Sequence, residues 1–188
     1  MGTLAVQDRI RWDARHRASR DQVYPDPDPL LFMYTPPVAP LPTGGRVPGD
    51  RPRALDLACG VGQNGLWLAE QGYSVDMIDI SREALRIARQ VAASRGLRTL
   101  NFLQSDLDET ALQSEAYDLV CVFRFLKRGL FERIRASVRP GGRVIYATFT
   151  TGWKAIMPDM PDRYLLQPGE LAGYFLDWRL LHQRESEH

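Results

Sequence analysis

The sequence predicts a protein of the α/β class, with a doubly wound, mostly parallel sheet that carries helices on both faces. From residue 53 onward, short apolar runs of strand length alternate with segments of helical pattern. Glycines close several of the helical segments, as they do where a helix ends and the chain turns toward a strand. Strands that alternate with helices are joined by right-handed crossovers, which makes their sheet parallel.

The first 52 residues precede this pattern. Their sequence predicts a short helix followed by a proline-rich lid over the domain. Residues 25–52 hold nine of the thirteen prolines in the chain, and proline removes backbone donors, so we expect mostly irregular structure there. The aromatic and aliphatic side chains of this stretch favour a lid that packs on the domain. Residues 1–20 predict a short amphipathic helix, with apolar candidates at Leu4, Ile10, Trp12 and Ala14.

Two strand–helix units open the regular part of the chain. RALDLA is the first predicted strand, and QNGLWLAEQG is a helix that ends at Gly72. YSVDMIDI is the second strand, and Ser81 is placed to cap the helix that follows it. That helix runs to Gly96 with one apolar face, formed by Ala84, Ala88, Val91 and Ala92.

Four further strands complete the predicted sheet. TLNFLQ is the third strand and YDLVCVFRF the fourth. LFERIRASV is a helix closed by RPGG, and RVIYATF is the fifth strand. PGELAGYF predicts a late helix that leads into a sixth strand, WRLLHQ.

The composition excludes several classes of function. The formal net charge is +1, so no general basic field would attract nucleic acid. No apolar stretch approaches the ~20 residues that span a bilayer, and the Arg-rich start lacks an apolar signal core. These features predict a soluble, cytoplasmic protein with no membrane partner. Two cysteines and three scattered histidines predict neither a disulfide scaffold nor a metal site.

The loop after the first strand has a glycine pattern that two kinds of ligand would suit. Gly60, Gly62 and Gly65 spell G-x-G-x-x-G between a predicted strand and a predicted helix, which is the context of a dinucleotide-binding loop. Asp56 stands four residues before the first of these glycines. A carboxylate there would repel a pyrophosphate but attract an ammonium or a sulfonium group. The loop therefore predicts a cationic ligand.

Acidic residues also follow the second and third strands. Asp79 lies nineteen residues after Gly60, where an acid accepts hydrogen bonds from the ribose hydroxyls of an adenosine. Stabilisation of the next helix N-terminus is the alternative role for Asp79. Asp106 is placed to accept from an adenine amino group, and a solvated loop acid is the alternative there.

These segments, read together, resemble a known family of enzymes. Five of them, over roughly residues 52–150, are similar to the class I S-adenosylmethionine-dependent methyltransferases: LDLACGVGQNG, VDMIDIS, FLQSDL, YDLVCVFRFL and RPGGRVIYATF. RWDARHR, PDPDPLL and YLLQPGEL resemble the small bacterial subgroup of tellurite-resistance and thiopurine-type methyltransferases. The resemblance implies a Rossmann-like fold, S-adenosylmethionine as cofactor and a role for each strand end.

The resemblance assigns the methionine part of the cofactor to the glycine loop, the ribose to Asp79, and the adenine to Asp106 with Leu107. Trp12 and the residues after it would close over the cofactor. The full implied set is Trp12, His16, Asp56, Ala58, Cys59, Gly60, Gly62, Asn64, Asp79, Ile80, Ser105, Asp106, Leu107 and Phe123. We therefore expect one domain over residues 1–188, with an N-terminal helix and lid (1–52), a cofactor-binding core (53–150) and a substrate-side segment (151–188).

The sequence departs from the family pattern in two places. His16 stands where the subgroup usually has tyrosine, which puts a hydroxyl contact to the cofactor in doubt. The family also has a seventh, antiparallel strand, for which no segment remains after the sixth. A truncated chain, a six-stranded variant and a sheet edge covered by a partner chain all fit, so monomer and homodimer both stay open.

The acceptor of the methyl group is the least determined part of the prediction. Methyl transfer relies on alignment and exclusion of water, so the lack of an identifiable catalytic base does not argue against activity, and the catalytic residues stay undetermined. Arg124, after the fourth strand, could bind an oxyanion of the acceptor, or it could be an ordinary surface arginine. Tyr24 and Tyr34 could line an acceptor pocket, or they could pack on the core. We expect a small-molecule acceptor, such as a thiol, another soft nucleophile or a chalcogen oxyanion. The alternatives are a non-catalytic binding or scaffold protein and a NAD-dependent enzyme.

Overall fold

The computed structural model describes residues 3–19, 22–38 and 51–185, with side chains described from residue 6. In this part of the chain, five parallel strands form one sheet in the order β3-β2-β1-β4-β5. The strands are β1 (Arg53–Leu57), β2 (Ser74–Asp79), β3 (Leu100–Gln104), β4 (Tyr117–Phe123) and β5 (Val138–Ala147). This order confirms the predicted doubly wound α/β fold. The fifth strand begins earlier than predicted, since β5 starts at Val138 and includes the RPGG that the sequence predicts to close the preceding helix.

The helices accompany the sheet much as the pattern predicts. They are α1 (Thr3–Ala18), α2 (Pro29–Tyr34), α3 (Gln63–Glu70), α4 (Arg82–Ser94), α5 (Phe131–Ser137) and α6 (Glu170–Gly173). Ser81 caps α4 as predicted, since its Oγ accepts from the Ala84 N–H at 3.1 Å. Gly72 and Gly96 follow α3 and α4 with φ values of +100° and +68°, the left-handed conformation that glycine adopts after a helix.

The sheet separates two apolar layers, because successive residues of a strand point to opposite faces. Leu55 and Leu57 of β1 pack with the layer that includes Ile134 of α5. Ala54 and Met77 belong to the opposite layer, together with Leu66 and Ala88 from α3 and α4. A sheet buried on both faces explains why the predicted strands are apolar runs rather than alternating patterns.

The strand order reverses between β1 and β4, which is where this class of fold binds its ligands. Leu57 at the end of β1 pairs with Ile78 of β2 and with Val122 of β4. The carboxyl ends of the three central strands therefore lie side by side. The loop after β1, the end of β2 and the residue after β4 meet at one edge of the sheet.

The described part of the proline-rich segment packs on the core. Leu31 is fully buried, and the Tyr73 hydroxyl donates to the Pro36 carbonyl at 2.8 Å. The expectation of mostly irregular structure is wrong for α2: Asp28 caps this helix by accepting from the Leu30 N–H, and Pro29 occupies its first turn. Residues 39–50 of the segment lie outside the described residues.

Three further predictions need correction. Ile10 is 60% exposed, so it is not on a buried face of α1, and the Leu4 side chain lies outside the described residues. The late helix is only the four residues of α6. The predicted sixth strand, residues 178–183, is not a strand.

The reason for the missing sixth strand lies in backbone pairing. Beyond β5, the described residues form one isolated bridge, in which Thr150 pairs with Leu166. A strand-like sequence forms a strand only where a neighbour accepts its backbone hydrogen bonds. Within the described ranges, no helix has the length and apolarity to cross a membrane.

Candidate functional site

The loop between β1 and α3 is built from residues in the left-handed conformation. Ala58, Gly60 and Gly62 have φ values of +53°, +56° and +92°. A Cβ on Gly62 would stand 2.6 Å from Met77 Cε and 2.9 Å from Ala88 Cβ. Only glycine therefore lets this loop lie so close to β2 and α4. Cys59, between the first two of these positions, is buried.

Asp79, at the end of β2, joins this loop to the start of α4. One carboxylate oxygen accepts from the Gly60 N–H at 2.8 Å, and the other accepts from the Ser81 N–H at 2.7 Å. Each oxygen has a second lone pair, so the carboxylate can also accept from two hydroxyl groups. Burial raises the pKa of Asp79, while the two backbone donors favour its charged form.

Helix α1 brings His16 and Trp12 to the same loop. His16 Cε1 lies 4.0 Å from the point where a Cβ on Gly60 would stand, and the Trp12 ring stacks near the imidazole with 6.0 Å between centroids. Burial lowers the pKa of His16, whereas the Asp79 charge raises it. Asp13 anchors the helix, because its Oδ1 accepts from the Ser81 hydroxyl at 2.6 Å.

Asp56 lies beneath the loop rather than at its mouth. The side chain is 1% exposed, and its Oδ2 accepts from the Gly65 N–H at 2.8 Å. A Cβ on Gly65 would stand 3.0 Å from that oxygen, so glycine permits this approach. Burial raises the pKa of Asp56 to about 7. Hydrogen bonds from the Gly65 N–H and the Cys121 thiol favour the charged form, but their effect on the pKa is smaller than that of burial. The carboxylate supports the loop directly, and contact with a ligand stays a prediction.

Asp56 should make the stability of the fold decrease as the pH rises from about 4 to about 7. The folded chain retains the Asp56 proton up to about pH 7, whereas an unfolded aspartic acid releases it near pH 3.9. Between these values the folded chain binds more protons than the unfolded chain, so the free energy of unfolding falls with rising pH. Asp56→Asn removes the titrating group and should reduce that decrease, by on the order of 3 kcal/mol.

Urea denaturation at about pH 4, 5.5 and 7 measures this difference. Asp108→Asn is the control, because Asp108 is exposed and pairs with Lys127 at the surface. Parallel pH profiles for the Asp56→Asn variant and the original chain would contradict a raised pKa for Asp56.

Hydrogen bonds join the proline-rich segment to the glycine loop and the start of α3. The Tyr24 hydroxyl donates to the Val61 carbonyl at 2.9 Å, and the Asp28 N–H donates to Asn64 Oδ1 at 2.9 Å. Asn64 is 3% exposed. Polar atoms of Tyr24 and Asn64 thus hold the segment and the loop together.

Gln63, the first residue of α3, is a site residue that the sequence prediction missed. Its Oε1 is buried and accepts no hydrogen bond within the described residues. A buried acceptor without a donor is costly, and an ammonium group would satisfy it. A glutamine at a helix start has no distinguishing signal in one sequence, so only the structure could reveal this atom.

The residues predicted for adenine lie together after β3. The Ser105 N–H donates to the Asp79 carbonyl at 3.1 Å, which ties this turn to the end of β2. Asp106 Oδ1 accepts from the Asp108 N–H at 3.0 Å, and Leu107 is buried. Ile80, whose carbonyl accepts from the Gln104 side chain at 3.2 Å, adjoins them. The turn therefore adjoins Asp79 at the carboxyl edge of the sheet.

Arg124 follows Phe123 at the end of β4, where the strand order reverses. Its φ is +55°, which is uncommon for a residue other than glycine, and its N–H donates to the Ala147 carbonyl at 2.8 Å. The side chain is exposed and contacts no acidic partner in the described part of the chain. Phe123 is buried on the layer that includes α3 and α4.

Tyr34 packs against the core layer that includes Leu31, which is the alternative role given to it, and its place in an acceptor wall stays a prediction. The Tyr34 carbonyl accepts from Arg143 Nη1 at 2.7 Å, and its ring stacks on His182 with 5.0 Å between centroids. Arg143 pairs with Leu119 near the start of β4. The segment therefore runs from the glycine loop at Tyr24 to the opposite end of the sheet.

Among the described residues, no group of three or more His, Cys, Asp or Glu could hold a metal ion. The edge of the sheet offers a carboxylate with spare lone pairs, an amide oxygen that accepts no hydrogen bond from the described residues, and an exposed guanidinium group.

Comparisons with known proteins point to one domain type. A family model described as a methyltransferase domain matches residues 54–142. Hemagglutinin 1 of Eikenella corrodens is 34% identical over 143 residues, which cover 71% of this chain and 46% of that protein. The ubiquinone biosynthesis O-methyltransferase of Aeromonas salmonicida is 33% identical over 122 residues, covering 61% of this chain and 51% of the enzyme.

A solved structure agrees with these sequence relatives. The S-adenosylmethionine-dependent methyltransferase of Mesorhizobium loti is 25% identical, with a TM-score of 0.55 over 68% of this chain and 55% of that one. This chain spans about half the length of the curated relatives that it matches.

Proposed function

Because the chain carries a class I S-adenosylmethionine-dependent methyltransferase domain, we propose that it transfers a methyl group from S-adenosylmethionine to a small-molecule acceptor. The observation that carries this proposal is the Asp79 carboxylate at the end of β2, which binds the glycine loop and the start of α4 and keeps two lone pairs for a ribose. When bound, the cofactor supplies an electrophilic methyl group on a sulfonium.

The residues of this chain would bind the cofactor along the edge of the sheet. Asp79 would accept from the ribose hydroxyls, and the turn at Asp106 and Leu107 would bind the adenine. The unsatisfied Gln63 Oε1 would accept from the ammonium of the methionine part. A positive charge of the same part, bound above the loop, would in turn favour the charged form of the buried Asp56 through space.

Helix α1 would cover the bound cofactor and exclude water from it. His16 already lies against the glycine loop with the Trp12 ring stacked near its imidazole, and Asp13 fixes the helix at the start of α4. Exclusion of water and alignment are the main contributions that a protein makes to methyl transfer.

The proposed acceptor is an anion or a soft nucleophile, with a thiolate and a chalcogen oxyanion as the main candidates. The Arg124 guanidinium at the end of β4 can hold a negatively charged group through paired donors. An acceptor that arrives as an anion needs no base to remove a proton. The resemblance of RWDARHR to the tellurite-resistance and thiopurine-type subgroup supports the same class of acceptor.

A screen of thiols and chalcogen oxyanions, read by release of S-adenosylhomocysteine, tests the proposed function. We expect turnover with an anionic acceptor, and Arg124→Gln should raise its KM at least about tenfold, because a charged hydrogen-bonded pair contributes about 1.5–3 kcal/mol. The cofactor affinity of this variant should not change.

Arg98→Gln is the control for this variant, since Arg98 is an exposed arginine beyond the end of α4. A KM that is the same in the Arg124→Gln variant and the original chain would remove Arg124 from the acceptor site. Binding of S-adenosylmethionine without turnover of any acceptor in the screen would favour the non-catalytic binding protein.

A further inference from the structure

A basic groove lies between α1 and α4, outside the proposed acceptor site. It consists of two adjoining cavities of about 430 and about 400 Å³, which share Asp13, Arg17 and Arg82 in their walls. The first cavity also reaches Arg9 on α1 and Gln104 at the end of β3. The groove thus combines a helix from the N-terminal region with the core of the domain.

The charges of the groove are strongly unbalanced. Its walls hold five arginines and two acids, which gives a formal balance of +3 in a chain whose total is +1. The two acids are Asp13 and Glu83, and the arginines are Arg9, Arg17, Arg82, Arg86 and Arg89.

Two of the five arginines already donate to oxygen acceptors. Arg86 forms a bidentate pair with Glu83, at 2.7 and 3.0 Å, and also donates to Gln90. Arg89 Nη2 donates to the Phe102 carbonyl at 3.2 Å. The guanidinium groups of Arg86 and Arg89 are therefore already hydrogen-bonded to acceptors on α4 and β3.

The other three arginines of the groove have no hydrogen-bond acceptor for their guanidinium groups within the described residues; they are Arg9, Arg17 and Arg82. In the described ranges, none of the three guanidinium groups donates to an acceptor or forms an ion pair. Asp13 is the acid that Arg9 and Arg17 face, and its Oδ1 is already engaged by the Ser81 hydroxyl and the Glu83 N–H. Three cations therefore line one groove in which both acids are engaged, Asp13 by the Ser81 hydroxyl and the Glu83 N–H, and Glu83 by Arg86.

We propose that this groove binds a small ligand that carries a diphosphate group. Arginine forks match phosphate oxygens through paired donors, and Arg17 with Arg82 stand in the wall shared by the two cavities. Arg9 lies beyond this shared wall in the first cavity, so the three guanidinium groups offer donors to more than one phosphate group. A groove of this size suits a small molecule, whereas a nucleic acid strand would need a basic surface continuing beyond the groove. This site is independent of the proposed methyl transfer.

Calorimetric titration of the full chain with inorganic pyrophosphate, at constant ionic strength, tests the proposal. We expect saturable binding at one site with a Kd below about 1 mM, because several charged hydrogen bonds to the pyrophosphate would form at once. Arg17→Gln and Arg82→Gln should each weaken binding about tenfold or more. Both side chains are exposed, so thermal unfolding should show that the variants are folded.

Arg98→Gln is the matched control, because it removes the same charge from an exposed position outside the groove. It should leave the Kd within about twofold of the original value, as expected for a screened charge at a distance. Absence of saturation, or equal weakening by all three variants, would overturn the proposal. Binding of heparin that pyrophosphate does not compete with would also overturn it, and would indicate a polyanionic macromolecule instead.

Discussion

Asp79→Asn should weaken the binding of S-adenosylmethionine by about a hundredfold. The carboxylate of Asp79 accepts from two backbone N–H groups with its two oxygens, which leaves one lone pair on each for the ribose. An amide replaces one oxygen by an NH₂ group, which faces a backbone donor and cannot accept from a hydroxyl. The loss of charged hydrogen bonds of about 1.5–3 kcal/mol each accounts for the expected factor.

Calorimetric titration of the cofactor measures this effect, and Asp108→Asn is the control. Asp108 is an exposed acid near the same turn, and its side chain pairs with Lys127 at the surface. Thermal unfolding of both variants separates lost binding from lost folding. A folded Asp79→Asn variant with the original affinity would contradict the assignment of the ribose to Asp79.

Gly62→Ala should lower the free energy of unfolding by about 3 kcal/mol. The new Cβ would overlap Met77 Cε at 2.6 Å and Ala88 Cβ at 2.9 Å. Met77 can move the end of its side chain, but Ala88 belongs to α4 and can yield only if the helix shifts. Overpacking of this kind costs about 1–3 kcal/mol, and the φ of +92° adds a left-handed strain of about 1 kcal/mol for alanine.

Gly96→Ala separates these two contributions. Gly96 also has a positive φ, +68°, but a Cβ there would meet nothing within 4 Å. This variant should therefore lose only about 1 kcal/mol. Urea denaturation of both variants gives the comparison, and equal losses would show that backbone conformation alone explains the glycine at position 62.

Most of the fold could be predicted because its signals are local. Ser81 caps α4 through its own side chain, and Gly72 and Gly96 end helices through their own backbone conformations. Strand order then follows from right-handed crossovers between short elements. The methyltransferase domain match over residues 54–142 and the S-adenosylmethionine-dependent structural relative agree with the predicted family and cofactor.

What could not be predicted depends on contacts between distant parts of the chain. WRLLHQ has the pattern of a strand, but no strand among the described residues pairs with it. Tyr34 is close in sequence to Tyr24, yet the segment between them crosses from one end of the sheet to the other. The sequence predicts that Asp56 faces the ligand of the glycine loop. The pairing of β1 with β4 instead places its carboxylate beneath the loop, opposite Cys121.

Parallel titrations of the unmodified chain with S-adenosylmethionine and with NADH decide between the two ligands that the glycine loop could suit. Gln63 Oε1, which accepts no hydrogen bond from the described residues, favours a cation over a pyrophosphate, and a bound cation would also favour the charged form of Asp56 beneath the loop. We expect saturable heat from S-adenosylmethionine at one site and no saturable change in NADH fluorescence. Saturation by NADH, with no heat from S-adenosylmethionine, would contradict the methyltransferase and make the loop a dinucleotide site.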